Sequence, residues 1–303
     1  MNINFTFIIP HKNIPNLLIR CLRSIPRRND VQIIVVDDNS DPNIVDFDNF
    51  PGEGEPCVEV YKIRESRGAG YARNSGLKHA RGKWLLFADA DDFFEKNLES
   101  ILDSYYNSNS DIIYFRLTSV NSDTLEKSGR DNNYRTTFYS EKKINATELG
   151  ILYYPPWGRM ILRKLVIEND ICFDETLVSN DIMFSTKLAI AQTKSEVSLD
   201  ILYCVTSRVG SLTTSMHNRE NTLDIRLKVF LSRDLYLEKH GYSQYKTSPM
   251  YLLQYASKIG FWKFISTLTL LIQSKINLFQ GWRYLLWGIK AKLSKKYPFL
   301  SFY

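Results

Sequence analysis

Five short apolar runs recur in the first part of the chain: Phe5–Ile9, Val31–Val36, Val58–Ile63, Trp84–Ala88 and Ile112–Leu117. Near-continuous apolar runs of this length predict strands covered on both faces. Between them the spacing becomes helical. Leu17, Leu18, Cys21 and Leu22 recur at helical intervals within Asn16–Ser24, and Gly70–Ala80, Glu95–Tyr106 and, further on, Ile182–Ala191 also read as helices. Alternating β and α elements predict an α/β fold, a mostly parallel doubly wound sheet flanked by helices. Asn121–Asn133 is polar enough to be a loop.

Ligands of an open α/β sheet bind outside the carboxyl ends of its strands, and here those ends are polar. The first run ends in Pro10-His11-Lys12-Asn13, the second in Asp37-Asp38-Asn39-Ser40 and the fourth in Asp89-Ala90-Asp91-Asp92. Carboxylates gathered on one edge repel unless something positive neutralises them. Asp89-x-Asp91 with Asp92 is a hard oxygen cluster suited to Mg²⁺ or Mn²⁺ carrying a phosphate ligand. The alternative is structural: Asp37–Ser40 as a turn, and Asp91-Asp92 as the cap of a helix beginning near Phe93. In Arg67-Gly68-Ala69-Gly70-Tyr71-Ala72-Arg73 the last glycine of a dinucleotide fingerprint is replaced by Arg73. What remains is a helix N-terminus with two arginines nearby, a place for an anion.

Composition narrows the class. The 303 residues are 44% hydrophobic and 24% charged, which excludes a disordered or collagen-like chain. The formal charge of +6 is mild but uneven: residues 222–303 carry thirteen basic and three acidic side chains, net +10, leaving the preceding body at −4. Cys21, Cys57, Cys172 and Cys204 form no C-x-x-C pair, so neither a zinc site nor a disulfide framework is expected, and a reducing cytoplasm is the simplest setting. The N-terminus lacks the basic and long apolar regions of a signal peptide. The longest apolar stretch, Phe261–Ile272, is interrupted by Lys263, Ser266, Thr267 and Thr269 and falls short of a membrane span of about 20 residues.

Taken in order, Phe-Ile-Ile-Pro-His-Lys-Asn (7–13), Ile-Ile-Val-Val-Asp-Asp-Asn-Ser (33–40), Gly-Tyr-Ala-Arg-Asn-Ser-Gly-Leu (70–77) and Leu-Phe-Ala-Asp-Ala-Asp-Asp (86–92) resemble the nucleotide-sugar-binding half of family 2 glycosyltransferases. Pro156–Met160, Phe173-Asp174-Glu175, Ser179–Phe184 and Arg208-x-x-Ser211 continue the resemblance more faintly. It implies a GT-A fold, a nucleotide-sugar donor (a UDP-sugar is the expectation), a divalent cation, Mn²⁺ or Mg²⁺, and inversion at the anomeric carbon. Residues 1–221 are then a catalytic domain, with 1–118 its nucleotide-sugar half and 119–221 its acceptor-side half, and 222–303 a helical basic extension.

Position by position, the resemblance places Pro10 in the nucleotide pocket, with His11 and Asn13 beside it. Asp38 faces the base, Arg73 the nucleotide and diphosphate, and Asp89 the ribose or sugar, next to Ala90. Asp91 is the metal ligand. Asp181 matches the acid that takes the proton of the acceptor hydroxyl; the alternative is a charge that stabilises the N-terminus of its own helix. Asn180 stands where the family usually has a first acid. A neutral neighbour makes Asp181 less prone to a raised pKa and a slightly weaker base. His217 is a secondary candidate metal ligand, as a histidine is in some GT-A enzymes, against a plain surface histidine. Trp157 is a candidate to stack on an acceptor sugar, against a role in the core.

After Glu238 the chain has ten Lys/Arg, no Asp/Glu and many aromatics. That composition suits helices lying on an anionic membrane, with a packed helical cap as the alternative. Nucleic acid is disfavoured as a partner by the acidic body. The resemblance points to bacterial surface-polysaccharide assembly, and with the tail it implies a lipid-linked saccharide acceptor and an enzyme peripheral on the cytoplasmic face of the membrane. The rivals are a sugar-phosphate nucleotidyltransferase, which should carry a Gly-rich loop after its first strand, and a catalytically inactive scaffold.

Overall fold

The computed structural model describes residues 2–131, 146–208, 216–274 and 276–278. The chain divides into two compact units, Met1–Arg208 and Val209–Tyr303.

In the first unit every apolar run named above is a strand: β1 (Phe5–His11), β2 (Val31–Asp38), β3 (Val58–Ile63), β4 (Trp84–Phe87) and, after the short β5 (Phe93–Phe94), β6 (Ile112–Asn121). Helices α1 (Pro15–Arg23), α2 (Ala69–His79) and α3 (Leu98–Tyr105) lie between them. Then follow α4 (Ala146–Leu152), β7 (Arg159–Leu162), α5 (Arg163–Glu168), α6 (Ile182–Ala191) and β8 (Ser195–Ser207). The strand order is β3-β2-β1-β4-β7-β6-β8-β5. The first four strands are parallel, β7 is antiparallel to both neighbours, and β8 runs parallel to β6.

β1 and β2 are buried almost throughout, as continuous apolar strands in a sheet covered on both faces must be. α1 starts with Pro15 in its first turn, where the missing N–H costs nothing, and buries Leu18, Cys21 and Leu22. The helix start near Phe93, required if Asp91-Asp92 were a cap, is not formed. Phe93 and Phe94 pair instead with Cys204 and Tyr203 of β8, and α3 begins only at Leu98. Because of this pairing, the turn Asp89–Asp92 is enclosed by β8.

The second unit contains α7 (Met216–Lys239), a single turn at Ser243–Tyr245, α8 (Pro249–Ile259) and α9 (Phe261–Gln273). Leu227, Phe230 and Leu237 of α7, Leu252, Leu253 and Ala256 of α8, and Leu271 of α9 are buried. Asp234 accepts the Thr247 N–H at 2.9 Å and anchors the turn before α8. Among the described residues no helix is long and apolar enough to cross a membrane. The lysine cluster 290–296 and Trp282 and Trp287 lie outside the described residues.

Candidate active site

The carboxyl ends of β1 and β2 form one polar corner. Asp38 is buried and accepts the backbone N–H groups of Arg67 and Gly68, each at 2.9 Å. Gly68 has φ of 89°, a conformation costly for any side chain, so this anchor for the start of α2 is specified by sequence. Beside it, His11 Nδ1 lies 2.7 Å from Asp37 Oδ1, and Ile14 N–H donates to His11 Nε2 at 3.2 Å, which puts the ring proton on Nδ1. Burial alone would raise the Asp37 carboxyl; hydrogen bonds from His11 and Ser40 outweigh it and hold Asp37 below the usual carboxylate range. Asn13 donates its N–H to Ser40 Oγ at 2.9 Å and accepts from Asp41 N–H through Oδ1 at 2.7 Å. The structure thus spends both ring nitrogens of His11 on the loops behind the corner, while Pro10 stays partly exposed at the end of β1.

The centre is built around Arg73. Its guanidinium is buried, with Nη2 at 2.6 Å from Asp89 Oδ1 and Nη1 donating to Asn180 Oδ1 at 2.8 Å. One side chain of α2 therefore ties the D-x-D turn to the residue before Asp181. Gly70 makes this approach possible: a Cβ there would run into the carbonyl of Asp174 and lie 3.0 Å from the Asn180 side chain. The other Asp89 oxygen accepts the Trp157 indole N–H at 3.2 Å, and the Asp89 N–H donates to the Tyr203 hydroxyl at 2.9 Å. Trp157 is buried and stacked on Tyr203, with ring centroids 5.4 Å apart. Here it supports Asp89 and turns a ring face to the protein interior.

Asp91 and Asp92 differ sharply. Asp92 is buried and accepts from Thr206 N–H at 2.6 Å and from the Tyr203 hydroxyl at 3.0 Å. Burial, then the charges of Asp91 and Asp89, push it well above the ordinary carboxylate range. Asp91 is partly open; its Oδ2 receives Arg208 Nε at 3.0 Å. Arg20 of α1 holds the same turn from behind, donating to the Asp91 carbonyl at 2.6 Å and the Ser122 carbonyl at 2.9 Å.

Asp181 occupies the N-cap position of α6 but makes no side-chain capping bond, which leaves its carboxylate for other work. Burial pushes its pKa up, against the pull of Arg73 and Arg159, and Asp89 adds to the rise. The neutral Asn180 does remove one repulsion, but desolvation is the larger effect. The Asp181 carboxylate therefore holds a proton more readily than the neighbouring residue alone implied. Arg159 on β7 is fully buried and bonds Ser185 Oγ, one turn into the helix that Asp181 begins. Among the described residues Arg159 makes no ion pair, and its Nη1 has no hydrogen-bond partner.

Asp38, Arg73, Asp89, Ala90, Asp91 and Asp181 thus belong to one connected set, with Trp157 behind it. The side chain of His217 lies outside the described residues, although the α7 backbone starts at Met216. Among the described residues no three acidic, His or Cys side chains form a metal cage. The donor set nonetheless fits a cation brought by a diphosphate. Asp91 is a hard, partly open oxygen donor, whereas Asp89 is engaged by Arg73 and Trp157, and Asp92 by Tyr203 and Thr206. Arg20, Tyr203 and Thr206 carry no recognisable motif, and Arg159 lies in the faint Pro156–Met160 match without being singled out; only their contacts in the fold mark them.

A mostly parallel sheet with polar strand ends, a D-x-D turn and an acid on the adjoining helix matches the GT-A architecture. The model of Glycosyl transferase family 2 matches residues 6–169, and the chain belongs to that family. The crystal structure of Staphylococcus aureus TarS residues 1–349, in complex with UDP-GlcNAc, shares the fold with a TM-score of 0.62, covering 89% of this chain and 81% of that one at 20% identity. A mannosyltransferase of Pyrobaculum calidifontis, in complex with GDP-Man and Mn²⁺, has a TM-score of 0.56 over 98% and 88% of the two chains, at 15% identity. The poly(ribitol-phosphate) beta-glucosyltransferase of Bacillus spizizenii is 27% identical over 208 residues, 65% of this chain and 31% of its own length. The chain spans less than about two thirds of the length of the curated relatives it matches.

Proposed function

We propose that this chain transfers a sugar from a UDP-sugar to a hydroxyl of a saccharide acceptor, carried on a lipid, in surface-polysaccharide assembly. The observation that carries this reading is the double contact of Arg73, which joins Asp89 on the donor side to Asn180, the neighbour of Asp181. The UDP-GlcNAc complex of a protein with this fold and the polymer acceptor named for the Bacillus relative support the donor and acceptor classes.

Asp181 takes the proton from the acceptor hydroxyl. The acceptor oxygen then forms its bond to the anomeric carbon as the bond from that carbon to the phosphate oxygen breaks, and the electron pair leaves with the diphosphate. A single base opposite the leaving group gives inversion. Arg73 and Arg208 bring positive charge to the side where negative charge develops. Asp91 would hold Mn²⁺ or Mg²⁺, which when bound supplies Lewis-acid stabilisation of the diphosphate. Asp38 fixes the α2 N-terminus beside the nucleotide.

The test is a panel of nucleotide-sugars assayed for metal-dependent hydrolysis by the parent and by Asp181→Asn, with UDP binding measured in both. Turnover of one UDP-sugar, lowered by about 10²–10⁴ in the variant at unchanged UDP affinity, is the expected result. No turnover with any donor, together with no UDP binding, would leave the scaffold reading in its place.

A further inference from the structure

The second unit presents an apolar helix face to solvent. On α9, Phe261, Trp262, Ile265 and Ile272 are 69%, 81%, 37% and 58% exposed. At 100° per residue they lie within an arc of about 100°. Thr267 and Leu271, the residues α9 buries, lie on the opposite side. The helix is therefore packed by one edge and carries a second apolar edge that the described residues of its own unit do not cover. Large aromatics at such exposure are costly on a surface facing only water and mark an interaction site.

Charge selects the occupant. From Lys239 to the end, the chain carries ten Lys/Arg and no Asp or Glu. Within this unit Lys263 of α9 pairs with Asp224, while Lys258, one turn before α9, is exposed. A helix-binding protein groove ordinarily matches mixed charges on the helix flanks. A long carboxylate-free stretch with Trp and Phe on one helix edge instead matches anionic headgroups above acyl chains.

We propose that the Phe261–Ile272 edge of α9 inserts into the interface of an anionic phospholipid bilayer, with the helix lying in the membrane plane. Trp262 sits at the flank of the apolar arc, where an indole meets the headgroups, and Phe261, Ile265 and Ile272 enter the acyl boundary. The neighbouring lysines supply a salt-sensitive attraction, and the apolar edge supplies a salt-resistant one. This inference stands apart from the catalytic reading and holds whatever sugar is transferred.

The experiment uses the full chain and vesicles of phosphatidylcholine with about 30% phosphatidylglycerol, beside pure phosphatidylcholine vesicles, at about 0.05 M and about 0.5 M salt. Phe261→Ser/Trp262→Ser is compared with the parent, with circular dichroism and UDP binding as checks that the molecule is intact. The parent should bind the anionic vesicles, bind the neutral ones far less, and keep part of its binding at high salt. The double variant should bind about ten-fold more weakly or less, and lose the salt-resistant part. Quenching by brominated lipid gives a reading independent of any folding defect: parent fluorescence should be quenched, and Trp262→Phe should remove a share of that quenching. A parent that ignores anionic vesicles at low salt overturns the proposal. So does equal binding by the double variant, or quenching unchanged in Trp262→Phe, either of which would assign the membrane contact elsewhere or the α9 edge to a protein.

Discussion

Arg73 Nη2 lies 2.6 Å from Asp89 Oδ1, and the guanidinium is buried while the carboxylate is about one-third exposed. Breaking a fully buried pair costs about 3–5 kcal/mol, and the exposure of Asp89 reduces that to about 2. Arg73→Ala should therefore lower the urea midpoint and weaken UDP binding together. Arg73→Lys should rescue neither fully, because an ammonium cannot span Asp89 and Asn180 as a planar fork does. Urea titration and calorimetry with UDP check both; full rescue by Lys would reduce the contact to simple charge pairing.

Asp91→Asn keeps the shape of the D-x-D turn and removes the anionic donor. UDP binding should lose its enhancement by Mn²⁺ while metal-free binding changes little, since Arg208 is then released toward the diphosphate. Calorimetry with and without Mn²⁺ reads this directly. An unchanged Mn²⁺ effect would take Asp91 out of the cation site.

Asp181 is raised by burial, so it is protonated and idle as a base until the pH exceeds its shifted value. The acid limb of the turnover profile should lie above the free aspartate value of about 3.9. Arg159→Leu removes a buried positive charge that opposes the shift, so its acid limb should move further up, and Arg159→Lys should move it less. Donor affinity should stay near the parent's. A raised carboxyl contributes stability below its unfolded pKa and loses it as pH rises. Asp181→Asn should accordingly be more stable than the parent at about pH 8, with the gap closing near about pH 4. A pH profile that ignores Arg159 would confine that arginine to packing.

Gly70→Ala adds one methyl against the Asp174 carbonyl, backbone that cannot swing aside. The cost should be about 1–3 kcal/mol, with turnover falling more than stability because α2 must shift Arg73 away from Asn180. Urea denaturation and turnover with the donor found in the screen measure the two effects.

The sheet's left half was legible because Phe5–Ile9, Val31–Val36 and Trp84–Ala88 have no polar interruption, and the aspartates follow them directly. β8 was not. Its first half alternates Glu196, Ser198 and Asp200 with exposed Val197, Leu199 and Ile201, and the continuous buried stretch is Leu202–Thr206. A strand whose alternating half exposes its apolar residues and whose other half runs into the core changes signature midway, so Tyr203 and Thr206 stayed hidden. The helix read over Glu95–Tyr106 forms from Leu98 to Tyr105, and the alternative start near Phe93 is taken up by pairing of Phe93 and Phe94 with β8. Asp89, Asp91 and Asp181 could be read from motif and spacing. The differing fates of Asp91 and Asp92 could not, since a strand more than one hundred residues away decides which carboxylate is buried.

Tyr203 bears on how the protein is made. Its hydroxyl receives the Asp89 N–H and donates to Asp92, and Thr206 secures the other oxygen of Asp92. During synthesis β1, β2, β3 and β4 leave the ribosome first and contain nearly all of the polar corner. The turn carrying Asp89 and Asp91 nonetheless gains its Tyr203 and Thr206 contacts only once β8 has been translated and docked. The corner is therefore completed late, by a strand that follows it by more than one hundred residues.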